Sequence, residues 1–206
     1  RALMKIHDLG LRDYLPTLIA MQQFTLQRDN RTEDELWLLE HFPVYTQGFN
    51  GQDAHLLHKN AIPVVKTDRG GQITYHGPGQ LIVYPLIDLR RHNLGVRNMI
   101  SCLENSVIAL LAQYGIDAYA RKDAPGVYCN DAKIASLGLR VKRGACYHGL
   151  SLNIDMDLQP FADINPCGYP GMQMTDMKTL GVKVNMASVK QQFVSVFLSH
   201  MQLGDK

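Results

Sequence analysis

Three side chains stand where they could do chemistry, although each also fits an ordinary structural role. Cys167 lies in the segment INPCGYPG, between a proline and a glycine. Proline fixes φ and lacks an N–H, and glycine lacks a Cβ, so the pair holds a loop in one shape and lets another molecule approach the backbone. A thiol there can act as a nucleophile, although a cysteine simply buried in a tight turn has the same local sequence. Lys133 opens the strand pattern DAKIASLGLRVKRG, in phase with Ala135, Leu137, Leu139 and Val141. Ile134, Ser136, Gly138, Arg140 and Lys142 fall on the other, outward face. A lysine on an apolar face is costly unless paired or neutral, and burial lowers an ammonium's pKa, which is how lysines become bases. A lysine at a strand's first residue can also snorkel to water, and a bulge at Gly138 would reverse the phase. His148, in YHGLSLNID, shares a phase with Leu150, Leu152 and Ile154, as either a hydrogen-bonded core histidine or a catalyst.

A fourth feature is the loop RGGQITYHGPGQ, with Gly70, Gly71, Gly77 and Gly79 around Arg69, Tyr75 and His76. It lacks the phosphate-loop pattern, and no Rossmann spacing opens a helix here. A strand beginning at Leu81 follows instead. The loop therefore suits the wall of a narrow pocket, with a plain hairpin connection as the alternative.

These residues need a scaffold, and the chain of 206 residues is long enough for one domain with a real core. Its apolar share of 46% and charged share of 19% carry no disorder signature. A net charge of +2 gives no global basic field of the kind that drives nucleic-acid binding. Local basic clusters at Arg90-Arg91, Arg121-Lys122 and Arg140, Lys142 and Arg143 read as solvated faces. Cys102, Cys129, Cys146 and Cys167 form no C-x-x-C pair, which suits free thiols in a reducing compartment, so a cytoplasmic location is expected. The longest apolar run, residues 81–87, is far short of a membrane span. Position 1 is not methionine, so a trimmed start is expected.

Helices are predicted over residues 13–28, over 96–114 with Gly115 as the C-terminal cap, and from Ser188 as N-cap through Val189, Phe193, Val196 and Phe197. LIVYPLIDL reads as a central strand, with Pro85 marking a bulge or its end. PGVYCND, AKIASLGLRVKRG and YHGLSLNID read as consecutive antiparallel strands. The expected fold class is α/β (α+β): a mixed, largely antiparallel sheet flanked by helices.

Taken together, RGGQITYHGPGQ, APGVY, DAKIASLGLR, HGLSLN, INPCGYPGM and, nearer the start, LWLLEHFPVYTQG resemble the lipoyl (octanoyl) transferases over about residues 9–175. That resemblance implies the fold of the catalytic domain of biotin and lipoate protein ligases, and with no internal repeat, low-complexity tract or linker-like composition shift a single domain over residues 1–206 is expected. It implies transfer of an octanoyl group from octanoyl-acyl carrier protein to a lysine of lipoyl domains, in 2-oxoacid dehydrogenase complexes and the glycine cleavage H protein. No cofactor, metal, nucleic acid or membrane is implied.

Residue by residue, Cys167 becomes the acyl-thioester nucleophile and Lys133 the partner that lowers its pKa. Substrate contacts fall on Arg69, Gly70, Gly71, Gln72, Ile73, Thr74, Tyr75 and His76, on Ser136, Leu137 and Gly138, and on Gly149, Leu150 and Ser151. Ser151 departs from the family, which more often has alanine there. The backbone N–H of Gly168, and those near Gly138, are candidate oxyanion donors. Rival readings are an ATP-dependent lipoate–protein ligase, which needs no Cys167, a zinc-stapled module using Cys129, Cys146, His148 and Cys167, and an inactive relative that only binds acylated partners.

Overall fold

A computed structural model describes residues 4–203, apart from the side chains of Cys167, Gln202 and Leu203. The apolar run predicted as a central strand is β6 (Gln80–Asp88), buried along its whole length. In chain order the other strands are β1 (Lys5–Arg12), β2 (Glu35–His41), β3 (Val44–Gln47), β4 (Val64–Lys66), β5 (Ile73–His76), β7 (Tyr119–Ala120), β8 (Val127–Cys129), β9 (Ala132–Lys142) and β10 (Ala145–Asn153). Seven form a sheet ordered β1-β2-β6-β10-β9-β8-β7, parallel only at β1/β2. A second sheet, β4-β3-β5, lies beside it. The glycine-rich segment is therefore not a hairpin. β5 belongs to the small sheet and β6 to the large one, and Gly77-Pro78-Gly79 carries the chain across.

Among the described residues the α-helices are α1 (Tyr14–Gln27), α2 (Val96–Ala112) and α3 (Met186–Leu203). Gly115, at φ +74°, ends the α2 segment as expected. For α3 the cap moves. Asn185 Oδ1 accepts the Ser188 N–H at 2.8 Å, so Asn185 is the cap and Ser188 lies inside the first turn. One face of the large sheet packs on α2 and α3 through Leu103, Val107, Val189, Phe193 and Phe197. The other packs on α1 through Tyr14, Leu18 and Met21. Burying both faces explains why alternation failed as a guide in β9. Ile134 and Ser136, assigned outward, are both buried.

Two irregularities bear on function. Gly138 pairs in register with Gly149 and is not a bulge. The bulge falls at the head of β9, where Tyr128 faces Lys133 but Val127 faces Ala135, leaving Ile134 as the extra residue. Pro85 does not end β6. Pairing with β10 simply lapses, from Cys146↔Ile87 to Leu150↔Val83, with His148 and Gly149 in the gap. Among the described residues, no helix is long and apolar enough to cross a membrane.

If Asn185 caps α3, Asn185→Ala should destabilise the fold by about 1 kcal/mol. In thermal melting that reads as a Tm lower by about 2–4 °C for a chain of this size. Ser188→Ala should leave Tm within about 1 °C, because its backbone N–H is retained.

Candidate active site

Lys133 is held from both sides of its own peptide. Its N–H donates to the Gln173 carbonyl at 2.8 Å, and its carbonyl accepts the Thr175 N–H at 2.9 Å. Residues 173–175 thus run parallel to the head of β9, bridging Lys133 to Met174. The stretch just before them is the proline–glycine loop. There Cys167 sits in a short 3₁₀ turn, Pro166–Gly168, and its side chain lies outside the described residues. The loop is tied at its start, where Asn165 N–H donates to the His55 carbonyl at 2.8 Å. It is tied again after the turn, where Tyr169 O–H donates to the Asp123 carbonyl at 2.6 Å.

The Lys133 side chain is 0% exposed, so it does not snorkel. Its Nζ lies 5.9 Å from the Tyr128 ring centre. Glu104 of α2 feels the Lys133 charge and accepts the Gly126 N–H at 3.1 Å. Burial raises the Glu104 pKa, opposed by that hydrogen bond and by the lysine. Gly126 is required here. Its φ is +144°, and a Cβ would stand 2.6 Å from Lys133 Cε. Gly168, at φ +78°, likewise leaves room for the Gln72 carboxamide against its Cα. Its N–H is already bonded to the Asn165 carbonyl at 2.9 Å, so it is not a free oxyanion donor.

A cavity of about 440 Å³ lies beside this loop, within the usual range for small-molecule sites. Its wall includes Arg69, Gly70, Gly71, Gln72, Thr74 and His76, with Ser136, Leu137, Gly138, Gly149, Leu150 and Ser151. Ile73 and Tyr75 do not line it. They occupy the alternate positions of β5 and pack instead with Tyr45, Phe161 and Ile164. Sequence reasoning missed Tyr14, Tyr84, Val96, Ile100, Pro125 and Tyr169, which also belong to the wall, as do Asn50, Leu139 and His148. Val96 and Ile100 carried a signal, but the helical period assigned them to core packing.

Arg69, part of that wall, also has a structural task. Its guanidinium donates to the carbonyls of Thr46 and Gln72, each at 2.7 Å, and of Gly70 at 2.9 Å. It thereby clasps the glycine-rich loop to β3. The basic residues near β9 are also engaged. Arg143 donates to the Leu26 carbonyl at the end of α1 at 2.7 Å, and Arg140 lies over the Phe49 ring at 4.6 Å.

His148 overturns the strand-phase reading. Its φ is +60°, uncommon for a residue with a Cβ. The turn stacks its ring on Tyr147, at 5.1 Å, on the α1 face rather than with Leu150. Nε2 donates to Asp68 at 2.7 Å; Tyr147 O–H and Gln22 donate to the same carboxylate. Burial works against the charged Asp68, but the His148 and Tyr147 hydrogen bonds outweigh it and hold its pKa well below the usual range. Burial also pushes His148 down, opposed by Asp68. His76 falls to about 3, through burial and then the neighbouring His41. Among the described residues, no three metal-binding side chains converge as a metal site.

A carboxylate depressed in the fold stabilises above its unfolded pKa, and that contribution is lost as pH falls. The Tm gap between the native protein and Asp68→Asn should therefore be full above about pH 4 and shrink below it. A gap independent of pH down to about pH 2 would show that the ionised carboxylate is not what matters.

The lipoyl protein ligase A/B catalytic domain profile matches residues 13–198. An octanoyltransferase of Laribacter hongkongensis is 58% identical over 93% of this chain and 92% of its own. One from Methylococcus capsulatus is 56% identical over 98% and 96%. Among solved structures, a putative lipoate protein ligase from T. acidophilum superposes with a TM-score of 0.78 at 15% identity, covering 96% of this chain and 85% of that one. A biotin protein ligase from Aquifex aeolicus superposes at 0.61 and 10%, covering 98% and 71%. These two share the fold: a mixed, mostly antiparallel sheet with flanking helices, as the sequence pattern predicts. By the profile match and by identity above one half across nearly its whole length, this chain belongs to the lipoyl protein ligase A/B catalytic domain family, among the octanoyltransferases.

Proposed function

We propose that this chain is a single catalytic domain, over residues 1–206, that moves an octanoyl group from octanoyl-acyl carrier protein to a lysine of lipoyl domains in the cytoplasm. The group passes through a thioester on Cys167. The observation that carries this reading is the pair of backbone hydrogen bonds joining Lys133 to residues 173–175, just beyond the Cys167 turn, whose loop walls a cavity through Tyr169. The octanoyltransferase relatives give the acyl group its chemistry.

In the first half-reaction a neutral Lys133 takes the thiol proton, and the thiolate attacks the carbonyl carbon of the donor thioester. The carbon–sulfur bond to the donor breaks, and the departing thiolate recovers a proton from the Lys133 ammonium. In the second half the lysine amine of the acceptor attacks the new thioester. The carbon–nitrogen bond forms, Lys133 accepts the amine proton, and Cys167 leaves and is reprotonated. Exchange between two thioesters is nearly isoenergetic, so no nucleotide is needed. Because Gly168 N–H is occupied, the oxyanion must find donors elsewhere in the wall.

Incubation with octanoyl-acyl carrier protein, without ATP, should give an adduct one octanoyl group heavier that maps to Cys167. Cys167→Ser should lose it. An adduct on another cysteine would reassign the nucleophile, and transfer seen only with ATP would favour a ligase. Lys133→Arg should keep a native melting curve while cutting turnover at least about 100-fold. Unimpaired turnover in that variant would remove Lys133 from the mechanism.

A further inference from the structure

The cavity has an open end and a closed one. Gly71, Pro125 and Val96 are exposed, Val96 by 43%, and mark the mouth together with Gln72 and Tyr169. Tyr14 and Tyr84, each 4% exposed, and His76, 7%, mark the other end. The wall positions Gln72, Thr74 and His76 run along one side between them. At about 3.3 Å per residue they span about 13 Å, which holds an extended eight-carbon chain of about 9 Å together with its thioester and van der Waals contact at the end wall. The thioester end is marked by Gln72, whose carboxamide packs on Gly168, the neighbour of Cys167.

Every ring at the closed end is pinned. Tyr14 O–H donates to Thr67 Oγ1 at 2.9 Å. Tyr84 O–H donates to His41 Nε2 at 2.7 Å, an acceptor because His41 Nδ1 faces the Arg12 carbonyl at 2.9 Å. His76 Nδ1 donates to Gln80 Oε1 at 2.8 Å, and that carboxamide is itself held by Asn153 at 2.9 Å and the Tyr75 carbonyl at 3.1 Å. Tyr14 and His76 stack at 6.2 Å. A wall so braced cannot retreat cheaply before a longer chain, because close-packed interiors resist overpacking.

We propose that the Tyr14–His76–Tyr84 wall is the stop that sets acyl-chain length, and that Tyr14 is the residue on which the limit turns. Tyr14 is the first residue of α1, at the edge of that wall, so shortening its side chain extends the cavity without cutting a strand. The inference rests on the acyl-transfer reading and names the substrate range of that same site.

The test is acyl-enzyme formation with synthetic acyl-pantetheine thioesters of graded length, from four to fourteen carbons, read by intact mass and rate. The native protein should peak at eight carbons. Tyr14→Ala should move the optimum to ten or twelve, raising the twelve-to-eight-carbon rate ratio at least about 10-fold. Tyr14→Leu, which keeps apolar bulk, should shift it less and guards against loss of fold in the alanine variant. A native peak at eight carbons with the same length profile in both variants, or a uniform loss at every length, overturns the stop. No adduct at any length in the native protein overturns the acyl-transfer reading itself, and the stop with it.

Discussion

Two backbone hydrogen bonds, from Lys133 N–H to Gln173 and from Thr175 N–H to Lys133, are the constraint on which the site depends. They join the first turn of a long buried strand to the chain that leaves the proline–glycine loop. Neither partner could be placed by its own neighbours in sequence. The strand head is bulged at Ile134, and the loop is a short 3₁₀ turn tied to the distant residues His55 and Asp123. Joined, they fix each other. A bulge re-aims side chains and sits here beside the site, as bulges often do.

Around that joint the chain tolerates features that are unfavourable elsewhere. Lys133 is fully buried with a carboxylate and an aromatic ring for company. His148 keeps a left-handed backbone, and β10 leaves β6 where Pro85 cannot donate to the ladder. Such departures cost free energy and persist only where surrounding structure enforces them. The enforcement comes from both sheet faces, α1 with the small sheet on one side and α2 with α3 on the other. The cavity occupies the place where this packing is deliberately incomplete, walled by β5, β6, β9, β10 and the first turns of α1 and α2.

Charge in the site is distributed by burial rather than by net charge. Arg69 uses its guanidinium on loop carbonyls, Arg143 on the end of α1, and Asp68 gathers His148, Tyr147 and Gln22. His76 and His41 are kept neutral, at about 3 and about 4, chiefly because burial disfavours their charged forms. The acyl chain of the proposed reaction therefore meets a wall without free charge at its far end, although the residue types there are polar.

Much was legible in the sequence, and the reasons are local. The three helices, the buried run of β6 and the antiparallel order of β8, β9 and β10 follow from periodicity and turn residues, which depend on near neighbours. The pocket character of residues 69–80 followed from glycine, which any close approach of backbone requires. Other features depended on distant partners. Only the packed fold turned His148 away from Leu150, exchanged Ser188 for Asn185 as a cap, withdrew Ile73 and Tyr75 from the cavity and brought Tyr14 and Tyr84 into it. Sequence alone determined the helices and most of the strands, and the family to which the chain belongs. Tertiary structure decided which faces the site residues share, because with both faces of a sheet buried the alternation of apolar and polar residues no longer tells one side from the other.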